Sequence, residues 1–282
     1  MFNITESFAH VNNIKICYEI LGEGEPLLLI HGFGVTKEEW IGQFIPLSKY
    51  FKVIRFDNRN SGKSDHPIEK LTYKMLADDT KALMDALGID KAHIVGWSVG
   101  GMVAQEFAIR YPEMLMKLVL INTFSHWPGD DTAIEMYKQG KIDHMNAVKE
   151  DPIKAFYDSA TPGFSRKFKK LLMENPKKKI HGLFSAEDLI EKDKNNPISV
   201  QDIENFAYGL SQFNVLDRLS DIKNETLIIA GSHDRSMPVS VNKIIHDNIP
   251  NSRFEVLEKA GHSSPIERAP EINEFIINFL KS

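Results

Sequence analysis

Short apolar runs alternate with segments of helical spacing along the first third of the chain, and the alternation returns near residue 227. Two runs around Asn12 and Asn13 predict a pair of antiparallel strands, and the unbroken run at 27–30 is typical of a strand buried on both faces. Together the apolar runs predict strands at 8–11, 14–20, 27–30, 51–56, 93–95, 118–121, 227–230 and 254–257. The helical patterns predict helices at 38–50, with interruptions at Gly42 and Pro46, and at 71–87, 102–111, 241–249 and 270–280.

This order of elements predicts an α/β fold with a mostly parallel, doubly wound sheet of about eight strands and helices on both faces. Residues 124–210 interrupt the pattern, because they contain helical patches and turn signals but no convincing strand. An insertion of that length with helices of its own favours a lid over a structureless loop. We therefore expect an α/β core formed by 1–123 and 211–282, and a helical cap formed by 124–210.

The composition excludes several classes of protein. The 282 residues are 42% apolar and 26% charged, a balance typical of a folded globular chain rather than a disordered one. The net charge of −5 argues against nucleic-acid binding. The single cysteine, Cys17, excludes an intramolecular disulfide and a zinc site built from cysteines.

The apolar runs are also too short for a membrane protein. None approaches the ~18 residues of a membrane span, and residues 1–13 lack the basic and apolar regions of a secretory signal. We therefore expect a cytoplasmic protein that acts on a small molecule, binds neither nucleic acid nor membrane, and is a monomer or a homodimer. We expect no metal ion and no cofactor. The segment 166–179 is locally basic, which indicates either a solvated helix face or a docking patch for an anionic membrane or partner.

The clearest chemical signal lies between a predicted strand and the helix that follows it. The sequence there is Gly96-Trp97-Ser98-Val99-Gly100, and in this context the pattern Gly-x-Ser-x-Gly describes a sharp turn with the serine at its apex. A Cβ atom at either glycine would crowd the backbone of so tight a turn. The amides at the start of the helix favour negative charge that develops at the serine. Ser98 is therefore the candidate nucleophile.

A serine hydroxyl is a poor nucleophile at neutral pH and needs a base. Of the ten histidines, His262 is the preferred base, because it lies in a loop directly after the last predicted strand. Asp234 follows the preceding strand and is the candidate acid that orients His262. His233 is the nearest rival base, but adjacent side chains rarely face one another. The strand before the insertion is followed by 122–123, Asn-Thr, with no carboxylate.

A serine that transfers acyl groups also needs donors aimed at the tetrahedral oxyanion. The backbone N–H of Val99, the residue after the nucleophile, is one candidate donor. The loop after the strand at 27–30 supplies the second, and we expect it to be the N–H of Phe33, because glycines flank this residue. His31 in the same loop is then expected to organise the loop rather than to act as a base.

These segments together resemble the α/β-hydrolase superfamily over essentially the whole chain. The matching segments are His31-Gly32-Phe33-Gly34, 57–65, 96–100, 231–234 and Gly261-His262. Ser98 stands where haloalkane dehalogenases and epoxide hydrolases of this fold carry Asp, so those two chemistries are not expected. Asn60 stands where the family often has Gly, and Asn tolerates the left-handed backbone better than most residues.

Within the superfamily, the chain looks like the capped small-molecule esterases, enol-lactonases and carbon–carbon bond hydrolases. The resemblance and the three candidate residues imply a serine hydrolase that cleaves a small, fairly apolar carboxylic ester or lactone through an acyl-enzyme intermediate. The cap is expected to cover Ser98 and to form the substrate pocket. The candidate lining residues, which are equally compatible with the core of the cap, are Trp40, Phe124, Trp127, Phe156 and Phe164.

Three other functions stay open on the sequence alone. The same residues serve a carbon–carbon bond hydrolase with a diketone-type substrate. They also suit a ligand-binding or signalling protein that turns over slowly, since fold alone does not fix function. A membrane-docked lipase is the third, and it depends only on the basic segment 166–179.

Overall fold

The computed structural model describes residues 4–159 and 163–282. Residues 1–3 of the amino-terminal segment and 160–162 of the expected cap therefore lie outside the described residues. Within these ranges, the protein has no helix with both the length and the apolar character that crossing a bilayer requires.

The described residues form one sheet. Its strands are β1 (Glu6–Val11), β2 (Ile14–Leu21), β3 (Pro26–Ile30), β4 (Lys52–Phe56), β5 (Ala92–Trp97), β6 (Leu115–Ile121), β7 (Thr226–Gly231) and β8 (Ser252–Leu257). They lie in the order β1-β2-β4-β3-β5-β6-β7-β8. β2 pairs antiparallel with both β1 and β4, and the remaining neighbours are parallel. The predicted, mostly parallel α/β sheet is confirmed.

Helices connect these strands. They are α1 (Phe44–Leu47), α2 (Tyr73–Ala86), α3 (Val99–Arg110), α4 (Asp131–Glu150), α5 (Pro152–Ser159), α6 (Arg166–Glu174), α7 (Ala186–Lys194), α8 (Val200–Ser211), α9 (Val239–Asn248), α10 (Ser264–Glu267) and α11 (Ala269–Leu280). The expected helix at 38–50 is instead a 3₁₀ segment, Lys37–Gly42, followed by α1. The chain bends at Trp40, where ψ is 26°, so one continuous helix cannot form.

Alternate residues of the central strands enter two separate cores. Leu28 of β3 and Ile94 of β5 pack on one face with side chains of α2, α3 and α9. Leu29 and Val95, their neighbours in the chain, pack on the other face with side chains of α1 and α11. All four are fully buried, and burying an aliphatic side chain of this size contributes about 1.5–3 kcal/mol. Helices therefore cover both faces, as the continuous apolar runs predicted.

Helices α4 to α8 lie between β6 and β7, in the segment that the sequence analysis assigned to a cap. Ser185 and Ser199 begin α7 and α8, and each accepts a hydrogen bond from the N–H of the aspartate three residues later. Among the described residues of 124–210, β pairing is limited to isolated bridges, at His126 and between Ile180 and Phe184. We call the segment 124–210 the cap.

The basic segment 166–179 covers α6 and the turn after it. Phe168 and Leu172 are buried against the rest of the protein. Three of its lysines contact carboxylates on neighbouring turns, namely Lys170 with Glu174, Lys177 with Glu187 and Lys179 with Asp188. This arrangement is that of a solvated helix face, while the docking role stays a prediction.

Candidate active site

Ser98 lies at the turn from β5 to α3. Its backbone angles are φ 58° and ψ −124°, a strained conformation for a residue other than glycine. Two hydrogen bonds tie the turn to the end of β6: Ser98 N–H donates to the Ile121 carbonyl oxygen at 3.0 Å, and the Thr123 hydroxyl donates to the Ser98 carbonyl oxygen at 2.8 Å. The neighbouring strand therefore supports the strained backbone.

The two glycines of the turn allow an unusually close approach of three elements. A Cβ atom on Gly96 would lie 2.3 Å from the Gly100 carbonyl oxygen, and one on Gly100 would lie 2.0 Å from the Ile30 carbonyl oxygen. Real Cβ atoms do not come this close to backbone. β5, α3 and the end of β3 can therefore meet at Ser98 only with glycine at both positions.

The structure brings Ser98, His262 and Asp234 into one hydrogen-bonded line. The distance from Ser98 Oγ to His262 Nε2 is 3.1 Å, and that from His262 Nδ1 to Asp234 Oδ2 is 2.7 Å. Asp234 Oδ1 accepts the N–H groups of Ser236 and Met237 at 2.8 and 2.9 Å, which fixes its orientation. Since the buried carboxylate takes Nδ1–H, Nε2 is left to accept the serine proton. The catalytic role of the three residues stays a prediction.

Asn122 holds the loop that carries His262. Its side-chain amide donates to the His262 carbonyl oxygen at 2.8 Å and to the Ser264 hydroxyl at 2.9 Å, and it accepts the Gly231 N–H at 2.8 Å. Trp97 Nε1 donates to the same His262 carbonyl oxygen at 3.1 Å. The sequence analysis noted only that residues 122–123 offer no carboxylate after this strand, and it gave Asn122 no role. Its place directly after β6, at the strand end next to β5, was the available signal.

The loop after β3 touches the serine. A Cβ atom on Gly32 would lie 3.3 Å from Ser98 Cβ and 3.7 Å from Ser98 Oγ. Phe33 and Val99, the candidate oxyanion donors, line the same pocket as Ser98. Val99 is the first residue of α3, so its N–H has no acceptor within the helix. In the described part of the chain, the Phe33 N–H donates to no other backbone group.

His31 organises this loop, in line with expectation. It is fully buried, its Nδ1–H donates to the Gly32 carbonyl oxygen at 2.9 Å, and its Nε2 accepts the Asn58 N–H at 3.1 Å. One donor and one acceptor require the neutral ring. Burial favours the neutral ring, because it lowers the pKa of His31.

A cavity of about 370 Å³ contains Ser98 and His262, and we call it the catalytic pocket. Apolar side chains from the core and from the cap dominate its walls, among them Trp97, Met102, Phe124, Trp127, Leu210 and Met237. Phe124 and Trp127 thus lie where the sequence analysis expected them. A pocket of this size and polarity fits a small, mostly apolar ligand.

A second cavity, of about 770 Å³, adjoins the catalytic pocket, and we call it the cap cavity. Phe156 and Phe164 line this second space rather than the catalytic pocket. The residues common to both cavities are Val35, Glu39, Tyr137, Lys141 and Ser263. Trp40 lines neither cavity, contrary to expectation. The bend of the 3₁₀ segment buries it completely, and its ring packs edge-on against Trp97 at 6.0 Å.

One cluster of carboxylates has the spacing of a metal site. Oxygens of Glu6, Glu19 and Glu38 lie within 4.8 Å of one another. Lysine and arginine side chains of the chain itself neutralise these carboxylates. Lys37 Nζ lies 3.3 Å from Glu6 and 2.9 Å from Glu38, and Arg55 pairs with Glu19 at 2.6 Å. The cluster is therefore explained by internal ion pairs.

Comparison with known proteins gives the family. A family model described as alpha/beta hydrolase fold matches residues 25–269. The 2-hydroxy-6-oxo-6-phenylhexa-2,4-dienoate hydrolase of Comamonas testosteroni is 30% identical, over 98% of this chain and 96% of that protein.

Two solved structures share the fold. The enol-lactonase from Burkholderia xenovorans LB400 superposes with a TM-score of 0.81 at 24% identity, over 98% of this chain and 100% of that one. A thermophilic esterase from Thermogutta terrifontis has a TM-score of 0.78 at 25% identity, over 98% of both chains. The expectation of an α/β-fold hydrolase is thereby confirmed: the chain belongs to the alpha/beta hydrolase fold family.

Proposed function

We propose that this protein is a serine hydrolase that cleaves a small, fairly apolar carboxylic ester or lactone through an acyl-enzyme intermediate. The observation that carries the proposal is the line from Ser98 Oγ through His262 to Asp234, with contacts of 3.1 and 2.7 Å. A serine at the start of a helix, a base within hydrogen-bond reach and a buried carboxylate behind the base are the parts of an activated nucleophile.

In the acylation step, Ser98 Oγ attacks the carbonyl carbon of the substrate while His262 Nε2 takes the hydroxyl proton. Asp234 stabilises the imidazolium that forms. The N–H groups of Phe33 and Val99 donate to the oxyanion, and such a donor is typically worth about 10²–10³ in turnover. When the tetrahedral intermediate collapses, the carbon–oxygen bond to the leaving group breaks, and His262 gives its proton to the leaving oxygen.

In the deacylation step, a water molecule gives a proton to His262 Nε2 and attacks the acyl carbon. Ser98 Oγ leaves with the proton returned by His262, and a carboxylic acid is released. With a lactone the leaving oxygen stays on the same molecule, so the product is a hydroxy acid. Apart from the substrate and this water molecule, the proposal assigns each role to a side chain or amide of this chain.

The cap supplies part of the substrate pocket in this proposal. Three cap residues line the pocket next to Ser98, namely Phe124, Trp127 and Leu210. Their apolar side chains favour an apolar substrate portion and exclude water from the acyl-enzyme. In this proposal the cap at 124–210 is a lid over Ser98.

Covalent labelling tests the nucleophile directly. A fluorophosphonate probe followed by peptide mapping should place one label on Ser98, and Ser98→Ala should take up none. Ser263→Ala is the matched control, because Ser263 lines the same pocket and its variant should keep the label on Ser98. A label on another serine of the wild-type protein would contradict the assignment.

Turnover of a short p-nitrophenyl ester series tests the reaction class. Ser98→Ala should lower turnover by about 10⁴–10⁶, since removal of the nucleophile of a comparable triad costs that much. Steady-state release of p-nitrophenol measures it. Retention of more than about a tenth of the wild-type rate would overturn the assignment.

A carbon–carbon bond hydrolase is the second candidate function. The observation in its favour is the 30% identity to a 2-hydroxy-6-oxo-6-phenylhexa-2,4-dienoate hydrolase over nearly the whole chain. That substrate, offered beside the ester series, separates the two reactions. Ser98-dependent cleavage of the dienoate together with inertness toward every ester would favour the second function.

A further inference from the structure

Lys141 of α4 lines both the catalytic pocket and the cap cavity. Its Nζ lies 5.4 Å from the ring centroid of Phe33 and 5.6 Å from that of Tyr137. Across residues 4–159 and 163–282, no carboxylate oxygen lies within 4.0 Å of this ammonium group. Among the described residues, the close contacts of this cation at the boundary of the two cavities are with the faces of two aromatic rings.

Lys192 provides an instructive contrast, because it lines the cap cavity but is fully paired. It contacts Asp193 at 2.7 Å and forms an ion pair with Glu39. Burial opposes the charge of Lys192, but these two carboxylates outweigh burial and raise its pKa. The protein thus neutralises one lysine of the cavity and leaves another, Lys141, without an anionic partner among the described residues.

The cap cavity has more lysines than carboxylates in its lining, although Lys192 and Lys194 are paired with carboxylates. Its charged lining residues are four lysines and two carboxylates, namely Lys141, Lys149, Lys192, Lys194, Glu39 and Asp193. A concave space with an excess of one sign of charge attracts ligands of the opposite sign. The cavity therefore favours an anionic group over a neutral one.

Two buried polar atoms of the cap cavity also lack partners. Within the described residues, His144 Nδ1 and Asn196 Oδ1 make no hydrogen bond, although both are shielded from solvent. Leaving a buried polar atom unpaired is costly, so such atoms indicate a missing partner. His144 lies one helical turn beyond Lys141, on the same side of α4. His144 and Lys141 thus line the same cavity. His144 Nδ1 can donate to an anion when it carries the ring proton, whereas Asn196 Oδ1 only accepts and offers nothing to an anion.

We propose that Lys141 binds a carboxylate on the substrate, and that the cap cavity accommodates the arm which carries that carboxylate. The inference rests on the proposed function and narrows its substrate class to esters or lactones with an acidic arm several bonds from the scissile carbonyl. The carbonyl lies at Ser98, the arm extends into the cap cavity, and the ammonium group of Lys141 pairs with the carboxylate on that arm. An ion pair formed in such a partly buried place is stronger than one in water.

Two esters of equal chain length test the inference. The mono-p-nitrophenyl ester of suberic acid and p-nitrophenyl octanoate release the same p-nitrophenol, but only the first has a free carboxylate. The readout is the ratio of kcat/KM for the acidic ester to kcat/KM for the neutral one. Lys141→Met should lower this ratio about 10- to 100-fold, as expected for the loss of a hydrogen bond between charged groups. Lys141→Arg should keep most of the wild-type ratio, because arginine retains the positive charge.

Matched variants exclude a general effect of charge or folding. Lys138 lies on the same helix, pairs with Glu135 and lines neither cavity, so Lys138→Met should leave the ratio unchanged. Lys141→Gln is a second neutral variant, in case methionine disturbs the Phe33 ring. A ratio that is equal in wild type, Lys141→Met and Lys141→Gln would overturn the inference, even where all of them hydrolyse both esters.

Binding separates this inference from the proposed function. Suberate should bind the Ser98→Ala protein in calorimetry, and Lys141→Met in that background should weaken binding by a factor similar to the change in the ratio. If no ester is hydrolysed but suberate still binds through Lys141, the proposed function fails and the carboxylate site stands. If Ser98-dependent hydrolysis is found and suberate does not bind, the proposed function stands and the carboxylate site fails.

Discussion

At the scale of single residues, the ends of the parallel strands carry the unusual backbone angles of the site. Ser98 after β5 has φ 58°, and Asn122 after β6 has φ 47°. Asparagine enters this left-handed region more readily than most residues, because its side chain hydrogen-bonds locally. In Asn122 that freedom turns the chain out of β6 and places the amide between Gly231 and the His262 loop. Asn122, which has no ionisable side chain, therefore positions the loop of His262, the proposed base.

Asn122→Ala tests this positioning role. The variant loses the bonds to the His262 carbonyl oxygen and the Ser264 hydroxyl, so we expect the imidazole to be held less well against Ser98. Misplacement of a catalytic group by about 1 Å costs on the order of 10²-fold. We expect kcat for a short ester to fall about 10- to 100-fold, with a small change in KM, in steady-state kinetics.

The matched control for this variant is Asn248→Ala at the exposed end of α9, where the side chain bonds only to its own helix. It should keep the wild-type kcat. Thermal unfolding separates positioning from loss of fold, since unpaired backbone groups after Asn122→Ala cost about 1–3 kcal/mol. A folded Asn122→Ala protein with wild-type kcat would contradict the role.

At the scale of elements, Asp202 joins the cap to a turn of the core. Its Oδ2 lies 2.9 Å from His66 Nδ1 and its Oδ1 accepts the Asn60 side-chain amide at 2.9 Å, while the same carboxylate completes the N-terminal cap of α8. His66 Nε2 lies 3.0 Å from the Gly62 carbonyl oxygen. Both partners of the His66 ring are acceptors, so only the protonated ring can donate to both.

This contact predicts a pH-dependent stability. The hydrogen bond to Asp202 raises the pKa of His66 against the effect of burial. A raised pKa means that the stabilisation is complete below the unfolded value of about 6.5 and is lost as the pH rises through the folded value. The pKa of Asp202 is lowered despite its burial. The stabilisation that its carboxylate contributes is therefore present above about pH 4 and is lost at lower pH.

His66→Gln should therefore cost more stability at pH 6 than at pH 9. We expect the loss in free energy of unfolding to differ by about 0.5–1 kcal/mol between the two pH values, the range of a partly exposed ion pair. Urea denaturation of wild type and variant at both pH values measures it. His10→Gln, at an exposed position of β1, is the control and should show no such difference. An equal loss at both pH values would refute the contact.

The elements themselves were largely predictable, and the exceptions have physical causes. The inner strands β3, β5 and β7 are buried apolar runs, so their positions follow from the sequence. α3 begins at Val99, three residues before the predicted start, because Gly100 and Gly101 count against a helix in isolation. Close packing requires a glycine there, since a Cβ on Gly101 would lie 2.7 Å from the Thr123 side chain. Tertiary contact thus decides what local propensity misjudges.

The residues of the site also fall into those that could be predicted from the sequence and those that could not. Ser98, Asp234 and His262 could be placed from sequence, because each lies within a few residues after a parallel strand and such strand ends share one edge. The place of Asn122 directly after a strand could be predicted, but no bounded helix was predicted around Lys141, and the contacts of neither residue could be predicted. Those contacts depend on how the His262 loop and the cap pack against the core, which periodicity does not encode.

At the scale of the whole molecule, a buried ion pair connects the cap to the core. Lys192 of α7 pairs with Glu39 of the 3₁₀ segment, and each side chain is only 10% exposed. Glu39 also lines both cavities. Two charges withdrawn from water stabilise a fold only while both are present, because either one alone is left buried without its partner.

Lys192→Met should therefore be strongly destabilising, by about 3–5 kcal/mol in the free energy of unfolding, because Glu39 and Asp193 lose their cation. Adding Glu39→Leu should recover much of that loss, since the double variant removes a buried charge of each sign. Lys194→Met, at a position 55% exposed on the same helix, should cost less than about 1 kcal/mol. Chemical denaturation of wild type, Lys192→Met, Glu39→Leu and the double variant measures the coupling between residues 39 and 192, with Lys194→Met as the control. If Lys192→Met costs no more than Lys194→Met, then α7 is held to the core by apolar packing instead, and the pair sets only the charge of the cavity wall.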